Sequence, residues 1–174
     1  MTPADQTKTK QDQTSKPFVI ARTVDVPRAR LWKAWTDTEQ LKKWWGPKGA
    51  EVLKAKLDLR PGGTFHYCMR YNGQEMWGKF VYREIVPNER FVFVSSFSDE
   101  KGGVTRHPMS DSWPIQMLTT ITFTEQNGKT TITVQWAPID PTEAERKTFD
   151  SGHDSMRMGW TGTFDQLTEY LKKP

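Results

Sequence analysis

The chain has 174 residues, of which 35% are hydrophobic, and 25 Lys and Arg against 21 Asp and Glu give it a formal net charge of +4. That length suits one domain with a core of useful size, and 8 tryptophans and 9 phenylalanines supply the large apolar areas that a mean hydropathy of −0.75 would otherwise deny it. The basic residues are scattered among acids, with no block beyond Lys42-Lys43, so the clustered footprint of a nucleic-acid-binding protein is excluded.

Residues 1–17 are polar and rich in Thr, Gln and Lys, a flexible tail ahead of a single domain over 18–174. Phe18 to Val26 is β-branched, lies between Pro17 and Pro27, and is expected to form a strand. Pro27 then opens a short helix to about Thr36, and Asp37 or Thr38 begins a second, stopped by Gly46-Pro47. Val52 to Leu59 is a strand closed by the turn Arg60-Pro61-Gly62-Gly63. Thr64 to Tyr71 places Phe65, Tyr67, Met69 and Tyr71 on one side and His66, Cys68 and Arg70 on the other. Asn72-Gly73 is a two-residue hairpin signal, with Glu75 to Val86 as the returning strand and Arg90 to Phe97 as the next.

Ser98 to Pro114 has no periodicity and is longer than most loops in compact domains, which marks a lid, a binding loop or disorder. Ile115 to Thr124 and Thr130 to Ala137 alternate apolar and polar residues around a second hairpin turn, Asn127-Gly128. From Thr142 to Lys172 there is no proline. Phe149, Met156, Trp160, Phe164, Leu167 and Leu171 fall on one stripe at about 100° per residue, with His153 in its one gap. Asp140 with Pro141, or Thr142 with Glu145, marks the start. This is expected to be one helix of about 30 residues, about 45 Å long. Gly152, Gly159 and Gly162 inside it signal close packing, a bend, or room left for something else.

The hairpins force antiparallel neighbours, and a sheet apolar on one face solves the burial problem of a one-stripe helix. The fold class is therefore α+β: an antiparallel sheet of about six to seven strands curled around a long C-terminal helix, with two short helices after the first strand.

Val26-Pro27-Arg28, the run from Leu31-Trp32 to Thr36-Asp37, and Trp44-Trp45-Gly46-Pro47 closely resemble the heat-shock protein 90 ATPase activator homologue family. So do Arg60-Pro61-Gly62-Gly63, Glu84-Ile85-Val86-Pro87 after Gly78, and Gly159-Trp160 ahead of Leu167. That family belongs to the START-like, or SRPBCC, superfamily, and the resemblance covers about Phe18 to Leu171. It implies a helix-grip fold with a cavity between curved sheet and C-terminal helix. Relatives bind lipids, hormones or polyketides, and some catalyse cyclisation or dehydration. The family name comes from co-chaperones whose major chaperone contacts are made by an additional N-terminal domain, which sixteen polar residues do not replace.

The expected interior wall comprises Trp35, Trp45, Phe65, Tyr67, Met69, Phe80, Phe93, Met117, Trp136, Met156 and Trp160, each of which plain core packing also explains. Walls of aromatic residues and methionine suit a flat or apolar small molecule, and Trp113 in the long loop is placed to close the mouth. His153 points at the sheet, either as a ligand-binding group or general base or as a core histidine. The three histidines lack a paired-ligand spacing, so no metal or other cofactor is expected.

Cys68, the single cysteine, excludes an internal disulfide and fits a reducing compartment. It sits on the face opposite the aromatic one, as an ordinary sheet residue. No run is apolar enough to span a membrane and no signal peptide is evident, which points to the cytoplasm. The leading function is binding of a hydrophobic small molecule by a monomer or homodimer. A co-chaperone-like or stress-related protein-interaction module and a cyclase or hydrolase using His153 are the alternatives.

Overall fold

In the computed structural model, which describes residues 16–174, two Asn-Gly turns organise the sheet. Asn72 and Gly73 have φ of 51° and 76°, and Asn127 and Gly128 have 55° and 76°. Two successive positive φ values match the right-handed twist of flanking strands, so each turn locks an antiparallel pair. The elements in order are β1 (Phe18–Val24), α1 (Arg28–Thr36), α2 (Thr38–Trp44), β2 (Glu51–Leu57), β3 (Thr64–Tyr71) and β4 (Gln74–Val86). There follow β5 (Arg90–Ser98), β6 (Val104–Thr105), β7 (Met117–Gln126), β8 (Lys129–Pro138), α3 (Glu143–Ser151) and α4 (His153–Leu171). The expected tail over 1–17 lies, apart from Lys16 and Pro17, outside the described residues.

The strands run β1-β8-β7-β5-β4-β3-β2, every neighbour antiparallel, with the two-residue β6 beside the end of β5. Bulges between Val52 and Lys54 in β2 and between Tyr82 and Glu84 in β4 bend the sheet into a grip. This is the helix-grip α+β arrangement. Phe149, Met156, Trp160, Phe164, Leu167 and Leu171 are all buried, so the apolar stripe does face the sheet. No helix among the described residues is long and apolar enough to cross a membrane.

The single long helix, however, is two. At Gly152 (φ −97°, ψ 8°) the backbone leaves helical geometry, and its N–H bonds Phe149 O, three residues back, at 3.1 Å. The other two glycines serve the other two purposes. A Cβ on Gly162 would lie 3.3 Å from Lys48 N, a close packing of helix on loop, whereas one on Gly159 would meet nothing within 4 Å. The start is fixed by the Thr142–Glu145 capping box, in which Glu145 N donates to Thr142 Oγ1 (3.2 Å) and Thr142 N donates to Glu145 Oε2 (3.0 Å).

The inner face of the sheet divides in two. Over one half, α1 and α2 wedge between sheet and α4, and Trp35, Trp44, Phe91 and Phe123 fill the space completely. Asp37 caps α2 by accepting from Gln40 N at 3.0 Å. Gln166 of α4 ties the following loop down, donating from Nε2 to Gly46 O (3.2 Å) and Pro47 O (3.1 Å). That tie fixes Trp45, the first residue beyond α2, at the boundary of the second half.

Candidate functional site

The second half is not filled. A cleft of about 760 Å³, open on one side, lies between the ends of β3, β4, β5, β7 and β8 and the face shared by α3 and α4. Trp45, Tyr67, Met69, Phe80, Phe93, Met117, Trp136, Met156 and Trp160 line it. The rings meet edge to face: Trp45 and Trp160 have centroids 6.0 Å apart, Trp45 and Phe80 5.3 Å, and Trp136 and Trp160 5.8 Å.

Three expected wall residues lie elsewhere. Trp35 belongs to the filled half, against Trp44 at 4.8 Å. Phe65 is fully buried beneath Tyr67, whose ring stacks on it at 4.9 Å and takes the place at the surface. His153, the first residue of α4, sits between Phe18 (5.6 Å) of β1 and Phe149 (5.1 Å), and its buried Nε2 has no hydrogen-bond partner among the described residues. It does not line the cleft. Cys68 is buried, and burial, ahead of the Glu75 charge, pushes its thiol pKa up and keeps it protonated.

Residues outside the expected set complete the wall. Met76 stands opposite Met69 across the hairpin, a position that alternation back from Phe80 would have given. Ser95 and Thr119 are harder to foresee, because strand register alone brings them together. Trp136 Nε1–H donates to Thr119 Oγ1 (2.8 Å), and the Ser95 and Thr119 hydroxyls are 3.2 Å apart. The roof is small and polar: Thr148, Ser151, Ser155, Gly159 and Thr163 follow helical spacing along the rim.

The long loop crosses the mouth and is pinned in three places. Arg106 pairs with the buried Glu145 carboxylate (3.1 Å), Thr148 Oγ1 donates to Ser112 Oγ (2.8 Å), and Trp113 packs on Trp136 (6.1 Å) and Phe149 (6.3 Å). His107 lies on Phe97 at 4.6 Å, and burial pulls its pKa below the usual 6.5. Among the described residues no Asp, Glu, Lys or Arg lines the cleft. Its ionisable groups are His107, Tyr71 and Tyr67, and burial pushes the Tyr67 phenol up to about 12, the nearby Trp45 N–H opposing only slightly. Among the described residues no cluster of His, Cys, Asp or Glu could hold a metal ion.

Residues 25–172 match the profile of the family described as "Activator of Hsp90 ATPase homolog 1-like protein". Among solved structures, protein Ms6760 from Mycobacterium smegmatis is 27% identical, with a TM-score of 0.72 over 91% of each chain. Protein NE0264 from Nitrosomonas europaea is 24% identical, with a TM-score of 0.71 over 90% of this chain and 94% of its own. A protein from Arthrobacter aurescens, solved by NMR, is 24% identical, with a TM-score of 0.71 over 91% of this chain and 87% of its own. Comparison with curated proteins gives no significant match.

Proposed function

The chain belongs to the Activator of Hsp90 ATPase homolog 1-like family, and from that premise we propose that it binds an uncharged hydrophobic or aromatic small molecule in the cleft between sheet and α4. The observation that carries this reading is the lining: about 760 Å³ bounded by tryptophan, phenylalanine and methionine, with no charged side chain among the described residues. A volume of that size lies within the range of small-molecule sites. An ionised ligand would be stripped of water there without a counter-charge, at a cost of several kcal/mol. Methionine at Met69, Met76, Met117 and Met156 lets the wall adapt to different shapes.

The test is titration with Nile red, a neutral hydrophobic dye, against wild type and Gly159→Trp, whose indole would project into the open space above Gly159. Saturable binding with a blue-shifted emission, lost in the variant, is the expected result. Dye binding unchanged in Gly159→Trp would place the dye elsewhere and defeat the reading.

A further inference from the structure

The polar atoms of Trp136, Thr119 and Ser95 on the apolar wall are already paired. Trp136 N–H is bound to Thr119, whose hydroxyl also meets Ser95. A buried polar atom that is not paired lies at the floor. Trp45 is only 8% exposed, yet among the described residues its Nε1–H has no hydrogen-bond partner. It lies beside the Tyr67 oxygen, near enough to favour that oxygen's negative charge slightly but outside hydrogen-bonding geometry. Buried polar groups in folded proteins are normally paired, so an unpaired buried N–H beside a tyrosine hydroxyl on the wall of a cavity needs an explanation.

Gly78 sharpens the point. It stands directly opposite Tyr67 in the β3–β4 register, and a Cβ there would lie 2.5 Å from the Tyr67 hydroxyl and 2.6 Å from the ring carbon that bears it. No side chain fits at that position without moving the phenol. A glycine weakens a strand interior, and its use there is explained by close approach of another group. Here that group is the Tyr67 hydroxyl.

We propose that Tyr67 is the recognition residue of the cleft, its hydroxyl donating a hydrogen bond to an acceptor oxygen, carbonyl or ether, on a flat uncharged ligand. Behind it, Trp45 Nε1–H closes onto the tyrosine oxygen as the ligand seats, so that the two donors act in series. The inference rests on the reading of the cleft as a small-molecule site and adds the chemistry the site demands. A phenol that stays protonated well beyond neutrality is a donor throughout the physiological range, which suits an acceptor and repels no electron pair. The edges of Trp45 and Trp160 beside it favour a planar body.

Fluorene and 9-fluorenone make the test, because they share one rigid neutral skeleton and differ in a CH₂ against a C=O. Dissociation constants come from titrating the tryptophan fluorescence, to which Trp45, Trp136 and Trp160 of the wall contribute. Fluorenone should bind wild type about three- to tenfold more tightly than fluorene, the usual worth of one neutral hydrogen bond. In Tyr67→Phe, which keeps the ring, that preference should vanish while fluorene affinity is retained. Near-UV circular dichroism checks that the variant keeps its packing. The anion fluorene-9-carboxylate should bind wild type more weakly than either neutral probe. Equal affinities of ketone and hydrocarbon for wild type, or a preference that survives in Tyr67→Phe, would overturn the assignment and leave the cleft as a binding site. Binding of neither neutral probe would overturn both.

Discussion

Replacing each of the three helical glycines by alanine in turn measures what each is for. Alanine is favoured over glycine in a helix interior by about 0.8–1.0 kcal/mol, so any departure from that gain reports on surroundings. At Gly159 the new methyl meets nothing within 4 Å, and the full gain of about 1 kcal/mol should appear, raising Tm by about 2–4 °C for a domain of this length. At Gly162 the methyl would lie 3.3 Å from Lys48 N and 3.6 Å from Lys48 Cβ. The loop has to yield by a few tenths of an ångström, which cancels most of the gain. At Gly152 the methyl would lie 3.0 Å from Thr148 O, in backbone that is not helical. There the propensity term does not apply, and the contact should lower stability by about 1 kcal/mol. Urea denaturation of the three variants, with m unchanged, gives the order Gly159→Ala, then Gly162→Ala, then Gly152→Ala. A stabilised Gly152→Ala would mean that α3 and α4 form one continuous helix in solution, and the reasoning would fall.

Asp37→Ala removes the acceptor that caps α2 at Gln40 N and should cost about 1 kcal/mol, with Asp37→Asn close to wild type in the same melt. Tyr67 is raised from 10.0 to about 12, so its contribution to stability is whole below pH 10 and is lost as pH climbs from there through 12. Alkaline unfolding between those values should be less steep in Tyr67→Phe, and an identical slope would refute the burial of this phenol. His107 behaves in the opposite sense. Its pKa is lowered below 6.5, and its Nδ1 accepts from Met109 N at 3.0 Å, a bond that protonation removes. Its contribution is therefore present above pH 6.5 and lost as pH falls through the lowered value. Hydrogen exchange in residues 99–116 should accelerate at pH 5 relative to the intrinsic rate, and His107→Phe should flatten that dependence.

The periodicities carried most of the fold. A stripe at 100° per residue and two Asn-Gly turns suffice to place a helix against an antiparallel sheet, because both signals are local and each has one structural solution. What escaped was decided by contacts between distant segments. Glycine in a helix has three possible causes, and this helix uses all three, at Gly152, Gly159 and Gly162. Alternation marks Phe65, Tyr67 and Phe80, and the first short helix marks Trp35, alike as inward-facing. It does not say that the ring of Tyr67 covers Phe65, nor that Trp35 lies on the side that α1 and α2 fill. His153 shares the stripe of Met156 and Trp160 by spacing, but at the start of α4 its ring packs on Phe18 of β1 and on Phe149, away from the cleft. The Ser95–Thr119–Trp136 network depends on register across β5, β7 and β8, which no single strand encodes.

The cleft exists because the filler runs out, not because special residues hold it open. The same tryptophan-rich chemistry packs solid where α1 and α2 reach between sheet and α4, and leaves space beyond Trp45, where no element is wedged in and Met156, Trp160, the small residues of α3 and α4 and the long loop face the sheet. Empty apolar volume is costly to a fold, so a side chain that fills it should stabilise the protein at the expense of binding. Gly159→Trp tests this directly. It gains helix propensity over glycine and buries part of an indole against the wall, together about 1–2 kcal/mol, which calorimetry reads as a rise in Tm of a few degrees. Higher stability with dye binding abolished is the expected pair. If stability and binding both fell, the indole would have prised α4 from the sheet, and the space above Gly159 would not be the open volume that the cleft requires.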